Sequence, residues 1–223
     1  MKKLALALAV FVTCAFAGPA HAEKKFSFEL GTGGAYNFDT NLVIDPGNGE
    51  KREDFTAQYD NKPFEDALYY MMRVGMWGGD GNAWEIELIH HKLYLSNPPS
   101  SIQSMEMTHG YNLITINRAW MMEGDYIFRL GAGIVLPHLE GSTKSGREFE
   151  GEEIFGQEFA FGGPTVQTAV SKRFYITKTI FANLEGKLTA SYAKFDMEGG
   201  GEVVAPNIAA HAILSFGFDY ARD

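Results

Sequence analysis

Residues 207–220 read NIAAHAILSFGFDY, and every even-numbered position from Ile208 to Tyr220 carries an apolar side chain. Polar residues such as His211 and Asp219 fall between them. Because side chains alternate across a β-strand with a period of two, this pattern predicts a strand with one apolar and one polar face. A strand of about 14 residues is longer than a typical soluble strand and is long enough to cross a bilayer at a tilt. The stretch therefore predicts one strand of a transmembrane β-barrel.

The N-terminus has the composition of an export signal. Lys2 and Lys3 precede an apolar run from Leu4 to Ala17, and a small-residue site ends at Ala22. This order of basic, apolar and small residues is typical of a cleaved signal peptide, which we expect to be residues 1–22. Cleavage there removes the one cysteine of the chain, Cys14, so the mature protein is expected to have no disulfide or thiol chemistry.

The charge of the remaining chain is strongly acidic. Without the two signal lysines, 17 basic residues face 28 acidic residues, which is a net charge of −11. Nucleic acid is therefore not an expected partner. No linker, low-complexity tract or long repeat divides the chain, and we expect residues 23–223 to form a single outer-membrane β-barrel domain.

Eight segments of the chain have the period and composition of strands. They lie at residues 26–38, 67–77, 83–95, 105–120, 126–138, 157–171, 178–195 and 207–220. Short connections alternate with mostly longer ones rich in charge, Gly, Pro or Ser, and these are 39–66, 96–104, 139–156 and 196–206. Bacterial outer-membrane barrels have short periplasmic turns and longer outer loops. This order of strands and connections predicts an all-β fold, namely an eight-stranded antiparallel up-and-down transmembrane β-barrel.

The same alternation predicts which side chains enter the interior. They carry charges of both signs and are Glu29, Arg73, Glu85, Glu87, Arg129, Asn183, Glu185 and Lys187. An eight-stranded barrel is just wide enough for side chains to fill, so these residues are expected to form a paired polar core. Aromatic residues on the other face are expected to meet lipid or to form interfacial belts, and these are Phe26, Trp84, Trp120, Phe128, Phe216 and Tyr220.

The histidines of the mature chain all fall toward the outer ends of the predicted strands. They are His90, His91, His109, His138 and His211. Neutral imidazole binds first-row metals, and Glu87, Glu106 and Glu140 are near enough in the sequence to supply oxygen ligands. This pattern predicts a mixed His/carboxylate site for Mn, Fe or Zn. The alternative is that amphipathic histidines simply occupy the polar rim near lipid headgroups, and two adjacent histidines cannot both point inward on a regular strand.

Three segments carry a resemblance to a known family. They read WEIELIHHKLY at residues 84–94, HGYNLITIN at residues 109–117 and GAGIVLPH at residues 131–138. Together they resemble the lipid A oxidase-like outer-membrane proteins, most clearly over residues 68–138. The resemblance implies oxidation of the proximal glucosamine of lipid A to an aminogluconate, with molecular oxygen and a divalent metal.

Carried over to this chain, the resemblance points to five residues. It implies that His90, His109 and His138 are catalytic and that Lys92 and Asn112 bind the substrate, with the Lys92 cation near a lipid A phosphate. The metal ligands are then expected among the histidines and the carboxylates, namely His90, His91, His109, His138, Glu87 and Glu140.

Two other functions are also consistent with the sequence. One is a non-catalytic structural or adhesive barrel whose loops 39–66 and 139–156 contact host or envelope partners. The other is a passive solute pore, which requires a wider lumen than eight strands normally leave. In each case we expect a monomer in contact with outer-membrane lipid, inserted by the outer-membrane assembly machinery through an aromatic residue, Phe218 or Tyr220.

Overall fold

The computed structural model describes residues 25–65, 68–151, 161–197 and 200–221. The predicted signal peptide and its cysteine lie outside the described residues. The strands are β1 (Lys25–Phe38), β2 (Thr40–Asp45), β3 (Glu53–Ala57), β4 (Tyr59–Asp60), β5 (Tyr70–Trp77), β6 (Asn82–Leu95), β7 (Ile102–Met122), β8 (Tyr126–Pro137), β9 (Glu140–Thr143), β10 (Glu148–Glu150), β11 (Gly163–Tyr175), β12 (Ile180–Asp196) and β13 (Glu202–Ala221). In these ranges no helix is long and apolar enough to cross a membrane.

The long strands pair antiparallel around a closed circuit. In the described part of the chain, β1 pairs with β5, β5 with β6, β6 with β7, and β7 with β8. The circuit continues from β8 to β11, β12 and β13, and β13 pairs with β1 again. Each predicted strand segment overlaps one strand of this circuit, while residue 67 and residues 157–160 of those segments lie outside the described residues.

The two ends of the circuit differ. At one end, here called the turn end, the connections are short and include a 3₁₀ turn at Glu123–Asp125. At the other, here called the loop end, the remaining short strands extend the sheet. There β2 pairs with β13 and β3, β4 pairs with β6, and β9 pairs with β7 and β10. The connections 39–66 and 139–156 therefore contain ordered strands in the residues that the structure describes.

The interior of the circuit is filled by charged side chains at its middle. All eight residues predicted to point inward are at most 3% exposed, which confirms this prediction. The Arg73 guanidinium bonds to Glu29 (3.0 Å) and Glu185 (2.7 Å), and Lys187 pairs with Glu87. A further cation that the sequence reading missed, Arg173, bonds to Glu29 at 2.8 Å. The passive-pore alternative is disfavoured, because these side chains occupy the space that a solute would need.

A large apolar cluster lies above the charged layer, toward the loop end. It includes Leu42, Tyr69, Met107, Leu139 and Phe149, which come from β2, the connection before β5, β7, the β8–β9 connection and β10. The burial of these side chains holds the loop-end strands against the circuit.

The outer face of the circuit carries an apolar band. The predicted outward aromatics Phe26, Trp84, Phe216 and Tyr220 are 38–61% exposed, and Trp120 stacks on Phe128 with both rings partly exposed. Along β12 and β13, buried positions alternate with exposed or partly exposed ones as far as Phe218. A continuous apolar outer face of this kind is typical of a surface in contact with lipid.

Candidate functional site

A bulge in β7 forms the centre of the candidate site. β7 pairs with β8 up to Tyr111↔Pro137, and its outer part pairs with β9 from Glu106↔Glu140. Between these two pairs β7 has four residues and the facing chain has two. Because the extra residues cannot join the ladder, the strand bends and its side chains are redirected. Gly110 lies in this bulge at φ +116°, a conformation that favours glycine.

The bulge brings His109 to His138 and Glu140. Leu139, between the latter two, is buried in the apolar cluster, so its neighbours face the outside of the wall. His109 Nδ1 lies 3.0 Å and His138 Nε2 lies 2.9 Å from Glu140 Oε1. A carboxylate only accepts hydrogen bonds, so both ring nitrogens donate to it. The imidazole of His109 is 61% exposed and that of His138 only 7%.

These three side chains can hold a metal ion. One ligand atom from each lies within 4.8 Å of the others, and in the described residues this is the one such cluster of three or more His, Cys, Asp or Glu. Two histidines and one carboxylate form the donor set of non-haem Fe(II) oxygenases, which leave further coordination positions open. Bound metal would replace the present hydrogen bonds to Glu140, and each imidazole would then carry its proton on the ring nitrogen that does not bind the metal.

A second carboxylate lies directly across the strand pair from Glu140. Glu106 is its partner in the β7–β9 register and is half-buried. The register therefore places a second carboxylate beside the cluster.

Asn112 and His90 support the bulge from below. Asn112 Nδ2 donates to the carbonyls of His109 (3.3 Å) and Leu136 (3.2 Å). Its Oδ1 is 2.8 Å from His90 Nδ1, which therefore carries the proton. The His90 ring stacks on Tyr70 with centroids 4.9 Å apart. The stacked rings of Tyr70 on β5 and His90 on β6 thus hold Asn112, and Asn112 in turn holds the backbone that carries His109.

Of the predicted metal ligands, Glu87, His90 and His91 lie outside the cluster of His109, His138 and Glu140, and so does Lys92, which was predicted to bind substrate. Glu87 lies in the charged interior, where Arg73 Nε donates to it at 2.6 Å. His91 faces the interior and bonds through Nε2 to Asn37 Oδ1 at 2.9 Å. Lys92 Nζ donates to the carbonyls of Lys62 and Glu65. Adjacent residues of a strand point to opposite faces of the sheet, and the bulge near His91 changes this alternation once more. For this reason Glu87, His91 and Lys92 do not point toward the cluster.

His211 completes the set of five histidines and also faces the interior. Its two ring nitrogens lie 2.9 Å from Tyr69 Oη and 2.9 Å from Thr189 Oγ1. The histidines of the loop end thus form an outward group of three and an inward pair. Sequence reasoning missed Tyr70 and Gly110 as parts of the site, although a glycine inside a strand pattern is a known signal for a bulge.

The outward group lies just beyond the apolar band. His90, Asn112 and Leu136 form one cross-strand row, and along β6 the outward positions below His90 are Leu88, Ile86 and Trp84. Ile86 and Trp84 are 41% and 38% exposed. The site therefore occupies the boundary between the apolar band and the polar loop end.

No protein-family model matches this chain, and no curated protein matches it. Solved structures do. The outer membrane protein OprG from Pseudomonas aeruginosa has a TM-score of 0.55 and 9% identity, covering 91% of this chain and 99% of that chain. The attachment invasion locus protein Ail of Yersinia pestis, solved with sucrose octasulfate, has a TM-score of 0.45 and 9% identity over 89% and 99% of the two chains. AlkL in DMPC bilayers has a TM-score of 0.49 and 11% identity over 92% and 93%. The likeness to OprG shows that this chain has the fold of an outer-membrane protein.

Proposed function

We propose that this chain is a monomeric, eight-stranded transmembrane β-barrel of the bacterial outer membrane that binds lipid A and modifies it oxidatively. The membrane placement is supported by the closed circuit of strands, the apolar outer face and the fold shared with OprG. Short turns at one end and longer connections at the other support an orientation with the loop end outside the cell.

The observation that carries the activity is the outward cluster of His109, His138 and Glu140 at the edge of the apolar band. This is the level at which the sugar headgroup of an outer-leaflet lipid meets the wall. A lipid held there has its acyl chains along the band and its glucosamine unit beside the cluster. A site inside the circuit has no such access, because the interior is filled by charged and apolar side chains.

The roles of the residues follow from their contacts. His109, His138 and Glu140 would hold the divalent metal, and Glu106 is placed to add a further oxygen ligand. The donor set suits Fe(II), and equally Zn(II), which two histidines and one glutamate also hold in enzymes; Fe(II), if bound, would supply the chemistry of molecular oxygen. Asn112 and His90 position the bulge. Exposed His109 leaves the outer side of the cluster open to the substrate.

Lipid A mass spectrometry from a deletion strain and its complemented strain tests this function. Growth in air with added iron is expected to give lipid A with the mass of one additional oxygen atom, and growth without oxygen is expected to remove it. Glu140→Gln should abolish the change. The matched control is Glu148→Gln, since Glu148 is an exposed carboxylate on β10 outside the cluster. Unchanged lipid A with a folded wild-type protein in the outer membrane would overturn the proposal.

An adhesive or structural role is the second candidate, and the loop end favours it. Its segments bond to one another, with Ser145 Oγ 2.7 Å from Glu50 Oε1 and Arg147 Nη1 3.0 Å from the Gly47 carbonyl. Ser101 also bonds to Glu53. Such a pre-ordered surface suits a protein partner, because little conformational entropy is lost on binding. Loss of host-surface binding on deletion, with lipid A unchanged, would support this candidate.

A further inference from the structure

The connection before β5 lies on the outside of the wall. We call its described residues 61–65, together with Leu68, the docking loop. Pro63 covers Gly34 on the outward face of β1, where a Cβ would lie 3.5 Å from Pro63 Cγ. The neighbouring outward positions of β1, Leu30 and Tyr36, are 51% and 66% exposed. The docking loop therefore rests on the same face as the apolar band.

The docking loop is fastened to the wall by polar bonds. Lys92 Nζ donates to the carbonyls of Lys62 and Glu65, and it lies 5.2 Å from the centroid of the Tyr94 ring. The Tyr69 amide donates to the Pro63 carbonyl at 2.9 Å. The ammonium of Lys92 is fully buried by this arrangement. Its structural role here is to hold the docking loop.

The fastened loop presents apolar side chains to the outside. Phe64 is 71% exposed, the highest fraction among the large apolar residues that the structure describes, and Leu68 is 57% exposed. Leu68 continues the alternation of β5, since Tyr69 is buried and Tyr70 is outward. Exposing two large apolar side chains to water is unfavourable, and the adjoining face of the wall meets lipid.

We propose that the docking loop is inserted in the outer leaflet and that Phe64 and Leu68 contact the acyl chains of the lipid whose headgroup reaches the site. Tyr70, two residues after Leu68, stacks on His90, so the loop adjoins the candidate site directly. Lys62 Nζ, on a side chain 43% exposed, lies 3.5 Å from Glu65 Oε2, and this cation would lie at the phosphate level of the leaflet. The loop thereby places the acyl chains on one side of the site. This inference rests on the membrane placement given in the proposed function.

Single cysteines in the mature chain test it. The variants Phe64→Cys and Leu68→Cys are labelled with bimane and refolded into phosphatidylcholine vesicles with or without brominated acyl chains. Leu188→Cys, on the outward face of β12 and 51% exposed, reports whether the wall is in the bilayer. Lys51→Cys, with a side chain 67% exposed in the β2–β3 connection, reports a position in water.

We expect bromolipid to quench positions 64 and 68 as strongly as position 188, and to leave position 51 unchanged. Quenching at 188 without quenching at 64 and 68 overturns the docking loop and leaves the membrane placement intact. No quenching at 188 overturns the membrane placement itself, and the docking loop with it.

Discussion

Asn112 connects the two parts of the candidate site at the level of single residues. It bonds to the backbone of the bulge, the carbonyl of His109 included, and to the His90 ring. Residues that orient ligands in this way typically contribute 10–100-fold to metal affinity.

Asn112→Ala is therefore expected to weaken Fe(II) or Zn(II) binding by roughly 10–100-fold, because the bulge that carries His109 loses its support. Metal titration of the purified protein in detergent measures this. Asn117→Ala is the control, since Asn117 is a buried amide on the same strand that bonds to Gln167 in the interior. Equal affinity in the wild type and in Asn112→Ala would show that Asn112 does not position the site.

Gly110 is the residue that permits the bulge. An added Cβ would lie 2.4 Å from Asn112 Oδ1, and the backbone is at φ +116°. We expect Gly110→Ala to lower the free energy of unfolding by about 1–3 kcal/mol, the cost of a strained backbone position. Urea unfolding in detergent micelles measures it. Gly186→Ala on β12 is the matched control, because no atom lies within 4 Å of a Cβ there.

At the level of elements, Lys92 joins the docking loop to β6. Lys92→Met keeps the length of the side chain but removes the donors that bind the Lys62 and Glu65 carbonyls. We expect the loop to detach, so that bromolipid quenching of bimane at position 64 decreases while quenching at position 188 is retained. Unaltered quenching at both positions would show that Lys92 does not hold the loop.

The hairpin of β2 and β3 is attached to the other loops partly through Glu53. Hydrogen bonds from Lys51 (2.8 Å) and then from Ser101 hold the pKa of the Glu53 carboxyl below its usual value of 4.5. A lowered folded-state pKa stabilises the hairpin above the unfolded-state value, and this contribution is lost as the pH falls through the folded-state pKa.

We therefore expect hydrogen exchange in β3 to accelerate at pH values below 4.5 relative to exchange in β12, after correction for the intrinsic rate. Glu53→Gln should remove most of this difference, because the amide carries no titratable charge. A β3 protection factor that is the same at pH 4 and pH 7 in the wild type would contradict the assignment.

At the level of the whole molecule, the charged interior holds the strands together from several sides. Arg73 on β5 contacts Glu29 on β1, Glu87 on β6 and Glu185 on β12. Removing one partner of a buried ion pair leaves the other charges uncompensated, at a cost of about 3–5 kcal/mol.

Arg73→Met is accordingly expected to lower the free energy of unfolding by about 3–5 kcal/mol. Heat-dependent mobility in electrophoresis and urea unfolding measure it. Arg118→Met is the matched control, since the Arg118 guanidinium lies outside the circuit over the Trp84 ring, 5.3 Å from its centroid. An equal loss of unfolding free energy in Arg73→Met and Arg118→Met would show that the interior network is not the source of the effect.

The long strands of the circuit, their in-and-out alternation and the charged interior could be predicted from the sequence, whereas the short strands of the loop end could not. Side chains alternate between the two faces of a strand with a period of two, so each long strand repeats the same local signal many times. Glu29 and Arg73 were assigned to the interior by parity alone and lie there. Arg173 was missed, because it lies beyond the predicted end of its strand at residue 171.

The sequence by itself determined that the chain forms long two-faced strands and that its histidines gather toward one end. Only the tertiary structure decided which of them meet. His109 reaches Glu140, 31 positions away, through a two-residue bulge that shifts the phase of β7. Glu87, His91 and Lys92 are separated from that group for the same reason, since parity and bulges direct them to the interior or beneath the docking loop. A bulge is a mismatch between two strands, so one strand read alone does not reveal it.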